Sequence, residues 1–184
     1  MRIAYILYDD HTLLDFVGFY DPVSRLHSQG FLPDLAWHLC GTKATIHDNF
    51  RLHIAIDRVT PNLAAYDLVY VPGGFGSRVL QQDEEFLTWL RTAGGVRHLV
   101  SVCTGSLLLG AAGLLTGKRA TTHFNAYDTL APYVAEVVHE RIVTDGNCIT
   151  GGAVATSLDL GLHVCELLVG KDAAAAVRHS MNYA

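Results

Sequence analysis

The stretch His98-Leu99-Val100-Ser101-Val102-Cys103-Thr104-Gly105-Ser106-Leu107-Leu108-Leu109-Gly110 is an apolar run that passes through Thr-Gly into a helical pattern. It reads as a strand, a sharp turn and a helix, with Cys103 at the turn. A side chain on such a turn is pushed out of the sheet edge, and the first turn of the following helix offers unpaired N–H groups and a partial positive charge. A thiol held there is expected to be biased towards thiolate, the nucleophilic form. The competing reading is that Cys103 is core, because free cysteine is among the most buried residue types.

Working outward, the runs at residues 3–8, 35–40, 68–71 and 99–102 read as strands, and helical spacing recurs at 15–28, 83–93, 154–168 and 172–179. Such alternation predicts an α/β fold, a doubly wound and mainly parallel sheet with helices on both faces. The chain from Val137 to Ile149 alternates around Asp145-Gly146, a hairpin signal. With 184 residues, half of them hydrophobic and 17% charged, residues 1–184 are expected to form one domain with buried strands.

Composition narrows the function. The net charge is −5 and the basic residues are scattered, so neither nucleic acid nor an anionic membrane is an expected partner. The opening Met1-Arg2-Ile3-Ala4-Tyr5-Ile6 lacks the pattern of a signal peptide, and the expected location is cytoplasmic. The four cysteines, Cys40, Cys103, Cys148 and Cys165, are widely spaced, so reduced thiols are expected and neither a disulfide framework nor a metal site.

In open α/β sheets ligands bind where loops converge at the carboxyl ends of the strands. That rule brings together the loop after the first strand, the loop Pro72-Gly73-Gly74-Phe75-Gly76 and the turn at Cys103. The glycine loop lacks the Lys-Ser/Thr of a phosphate loop. Beside a nucleophile, Gly74 or Gly73 can instead present a backbone N–H that completes an oxyanion hole with the N–H of Thr104; otherwise the glycines serve a turn of positive φ. Asp15 is either a helix cap or an acid aimed at Cys103, in which case burial raises its pKa. Contact between the two is expected on the premise that the first strand and the elbow strand are neighbours in the sheet. His123, one of ten histidines, is a further candidate whose commoner role is structural.

These motifs resemble a family. Val102-Cys103-Thr104-Gly105-Ser106, the segment Gly110 to His123, the Pro72-Gly73-Gly74 turn and Leu14-Asp15-Phe16-Val17-Gly18 are together similar to the ThiJ/PfpI superfamily, and within it most like isocyanide hydratases. The resemblance implies a flavodoxin-like fold related to class I glutamine amidotransferases, with a nucleophile elbow at Cys103. It further implies Asp15 as the acid partnering the thiol, Thr104 as the residue that marks the hydratase-like branch, Gly74 as the oxyanion-type donor, and a homodimer. Phe19 departs from the pattern, which tends to proline after Gly18, and relatives commonly continue beyond Asn182-Tyr183-Ala184.

Three functions compete. One is hydration of an isocyanide to an N-substituted formamide through a thioimidate on Cys103, with a small electrophilic substrate and no cofactor. A second is a cysteine-dependent hydrolase, amidase or glyoxalase-like reaction at a carbonyl. The third is a ligand- or redox-sensing module like the N-terminal domain of AraC-type regulators. A full regulator would call for a helix-turn-helix segment and a basic face, which the sequence does not offer, whereas the sensing reading stays open.

Overall fold

The computed structural model describes residues 1–183. In chain order the elements are β1 (Arg2–Ile6), α1 (Leu13–Ser28), β2 (Ala36–Gly41), β3 (Thr45–His47), β4 (His53–Ala55), β5 (Arg58–Val59), β6 (Leu68–Val71), α2 (Ser77–Leu80), α3 (Glu84–Arg91), β7 (His98–Val102), α4 (Gly105–Ala111), β8 (Arg119–Ala120), α5 (Tyr127–Leu130), β9 (Glu136–Val137), β10 (Ile142–Asp145), β11 (Cys148–Gly151), α6 (Thr156–Val169) and α7 (Lys171–Ser180). Seven strands form the central sheet in the order β10-β11-β7-β6-β1-β2-β5. All neighbours are parallel except β10 and β11, which pair antiparallel across the Asp145-Gly146 turn.

Period-two alternation explains why this sheet needs two covers. Ala4 and Ile6 of β1 join Val69 and Val71 of β6 on one face, beneath Phe86 and Leu90 of α3 and Leu107 to Leu109 of α4. Ile3 and Tyr5 join Leu68 and Tyr70 on the other face, beneath Phe16, Phe19 and Val23 of α1 and Leu160 and Val164 of α6. Each fully buried aliphatic or phenyl side chain contributes about 1.5–3 kcal/mol. Asp83 caps α3 by accepting from the N–H groups of Glu85 and Phe86.

Two expectations are corrected here. β1 and β7 are not neighbours, because β6 lies between them. The hairpin is confined to β10 and β11, while β9 pairs with β8 in a separate ribbon. The short β3–β4 hairpin was not read from the sequence, since strands of three residues carry too little alternation to stand out. Because β1, β6 and β7 run parallel, the loops that follow them meet at one sheet edge.

Candidate active site

Cys103 follows β7 directly and has φ +55, a left-handed conformation unusual for a residue with a side chain. The backbone is held there from both sides. Its N–H donates to the carbonyls of Gly151 and Gly152 at 3.0 and 2.7 Å, and its own carbonyl accepts from Thr122 Oγ1 at 2.9 Å and Ser106 Oγ at 3.2 Å. This is the strained strand-to-helix elbow that aims a side chain away from the sheet.

Asp15 lies in the first turn of α1 and is fully buried. It reaches Cys103 although β6 intervenes, because α1 packs over β6 and is tied to it: Tyr70 Oη donates to the Asp15 carbonyl at 2.6 Å. Asp15 Oδ2 accepts from the Gly73 N–H at 2.9 Å. The carboxyl and the thiol are in hydrogen-bonding contact. Oδ1, also buried, has no hydrogen-bond partner.

Burial pushes Asp15 up to about 7, against the opposing hydrogen bonds from Gly73 and Cys103. Burial also pushes the Cys103 thiol up to about 12; the Asp15 charge adds to this, and the N–H and hydroxyl of Thr104 work against it. Burial thus opposes the expected bias of the thiol towards thiolate, the side chain being only 5% exposed. Below about pH 7 both groups are protonated, and above it the carboxyl gives up its proton while the thiol keeps its own.

The glycine loop serves this pair by leaving space. A Cβ on Gly73 would lie 2.6 Å from Thr104 N and 2.8 Å from both Asp15 Oδ2 and Cys103 Cβ. Gly74 has φ +144, where only glycine is comfortable. Its N–H does not point at the cavity as expected of an oxyanion donor, but donates to Thr104 Oγ1 at 3.0 Å. Ser77 Oγ donates to the same hydroxyl at 2.8 Å. Thr104 is thereby clamped, with its N–H on the Cys103 sulfur.

Above the thiol is an open cavity of about 210 Å³. Thr12, Asn49, Phe75, Arg78, His123 and Asn125 contribute to its wall, with Cys103 and Thr104 beneath. His123 Nδ1 accepts from the Asn125 N–H at 3.2 Å, which assigns the ring proton to Nε2. Burial and the nearby Arg78 charge lower its pKa, which favours the neutral ring with Nε2 as a donor. Asn49 cross-links the rim, donating from Nδ2 to Thr12 Oγ1 at 3.0 Å and accepting from the Phe75 N–H at 3.4 Å. Sequence reasoning missed Asn49 and Arg78; the first sits in the unrecognised β3–β4 hairpin and the second in the short helix α2. Among the described residues no group of three His, Cys, Asp or Glu side chains is arranged to hold a metal, and no helix is long and apolar enough to cross a membrane.

A parallel doubly wound sheet carrying a cysteine elbow, an acid from α1 and a clamping threonine defines a recognisable class of α/β protein. The DJ-1/PfpI family pattern matches residues 1–167, and this chain belongs to that family. It is 37% identical over 186 residues to the isonitrile hydratase of Pseudomonas putida, spanning 100% of this chain and 79% of that protein. It is 30% identical over 189 residues to the HTH-type transcriptional regulator GbdR of Pseudomonas aeruginosa, covering 98% of this chain and 50% of the regulator. Among solved structures, a ThiJ/PfpI family protein from Pseudomonas syringae superposes with a TM-score of 0.89 at 30% identity, over 99% of this chain and 74% of that one. Drosophila melanogaster DJ-1beta shares the fold, with a TM-score of 0.84 at 22% identity over 100% of this chain and 98% of that one.

Proposed function

We propose that the protein is an enzyme that hydrates an isocyanide to an N-substituted formamide. The observation that carries this reading is the fully buried Asp15 carboxyl, held by the Gly73 N–H, set beside Cys103 at the elbow. An isocyanide carbon accepts a nucleophile and a proton at the same atom, and this pair supplies both. As the Cys103 sulfur bonds to the terminal carbon, its proton passes to Asp15 and from there to that carbon, giving a thioimidate, R–N=CH–S. Water adds to the thioimidate carbon while nitrogen gains a proton. The C–S bond then breaks, sulfur recovers a proton, and R–NH–CHO leaves with the net addition of one water.

The two competing functions find less support. Attack on a carbonyl develops a negative oxygen that asks for paired N–H donors, and the N–H groups of Gly73 and Gly74 are committed to Asp15 and Thr104. An oxidation sensor asks for a thiol that rests as thiolate, and burial of Cys103 works against that form.

The test is formamide production from alkyl and aryl isocyanides, with Cys103→Ala as the inactive control. The reactive form has lost the first of two protons, so kcat/KM should rise with pH through an apparent pKa near 7. No formamide from any isocyanide tried, or a rate that is flat from pH 5 to 9, would count against the reading.

A further inference from the structure

Arg78 is the one cationic side chain on the cavity wall, and no Asp or Glu lines that wall with it. Among the described residues every ion pair is made by other side chains, so its guanidinium has no carboxylate partner. An arginine left unpaired beside a nucleophile is a fork for a planar anion. His123, neutral with its proton on Nε2, adds a second donor on the same wall. The Arg78 charge is felt there, since it helps to hold the imidazole neutral. The cavity is below the roughly 300–1,000 Å³ of drug-sized sites, which confines it to a small ligand.

We propose that this cavity takes a small substrate bearing a carboxylate, held by Arg78 with His123 as a second donor, while its electrophilic carbon sits at Cys103. In the proposed reaction, on which this inference rests, the substrate class becomes an isocyanide that carries a carboxylate, and not a purely apolar one.

Iodoacetate and iodoacetamide test the anchor without any isocyanide, because they differ in charge but hardly in size. With either reagent the Cys103 sulfur bonds to the methylene carbon and iodide leaves, and the modified peptide is read by mass spectrometry. The ratio of the iodoacetate rate to the iodoacetamide rate at Cys103 should fall about tenfold in Arg78→Gln, a tenfold change being about 1.4 kcal/mol of lost attraction. It should fall further in Arg78→Glu. Arg78 is exposed, so neither variant disturbs the core, and a thermal melt checks this. In turnover, 3-isocyanopropionate should be preferred over butyl isocyanide by wild-type protein, and the preference should vanish in Arg78→Gln. An alkylation ratio equal in all three proteins overturns the anchor. If neither isocyanide is consumed but the alkylation ratio still follows Arg78, the hydratase reading falls and the anchor stands.

Discussion

Asp15 is costly where it sits. A carboxyl pushed from 3.8 to about 7 binds its proton more tightly folded than unfolded, so the native state gains from it below the unfolded pKa and loses that gain as pH rises through about 7. At pH 8 the full penalty applies, at most about 4 kcal/mol for a shift of this size. Asp15→Asn keeps an acceptor for the Gly73 N–H and removes the charge. The variant should therefore melt higher than wild type at pH 8, with the difference closing near pH 4, while turnover falls about 10²- to 10⁴-fold through loss of the proton shuttle. Equal melting temperatures at pH 8 would show that Asp15 is not destabilised by its burial. Cys103 yields a second expectation at this scale. It alone among the cysteines lines the cavity, whereas Cys40 and Cys165 are fully buried and Cys148 is 2% exposed, with all four thiols pushed up by burial. Access decides between them, so iodoacetamide at neutral pH should modify Cys103 first. Earlier modification of any other cysteine, followed by peptide mapping, would contradict this.

Among the elements, α1 carries the most consequence, because it holds the acid. It lies against α6 through close backbone approach: a Cβ added to Gly161 would meet Pro22 Cγ at 2.4 Å and the Phe19 carbonyl at 3.1 Å. Proline and backbone cannot give way as a flexible side chain would. Gly161→Ala should accordingly push the helices apart, costing about 1–3 kcal/mol in chemical denaturation. It should also lower kcat by moving Asp15, although Gly161 touches no part of the cavity. Unchanged stability would mean that the helices separate freely. At this scale the sequence was well legible where apolar periodicity is long: α1, α3, α6, α7 and the strands β1, β2, β6 and β7 fall within a few residues of their expected positions. Short pieces that owe their form to tertiary pairing, such as β3, β4, β5, β8 and β9, left no such trace.

For the molecule as a whole, legibility followed the same divide between local and long-range causes. Cys103 and Asp15 could be singled out because a turn and a helix start are local events, and their meeting followed from the parallel arrangement of the strands. The reason given for that meeting was nonetheless wrong, since β6 separates β1 from β7 and the contact depends on α1 reaching across it. The commitment of the Gly74 N–H to Thr104 was equally hidden, as it joins groups 30 residues apart. Arg78 could be named only after folding had placed it on the cavity wall with His123, where no Asp or Glu joins them.

Tyr70 stacks on Phe19 at 3.9 Å between ring centres and ties down α1 at Asp15, so the dryness around the acid is maintained by aromatic residues of the interior. In the proposed reaction the pH dependence is then set by the packing of the core as well as by the residues at the cavity. Repacking Phe19 and Tyr70 would then shift that dependence with every residue of the cavity wall unchanged.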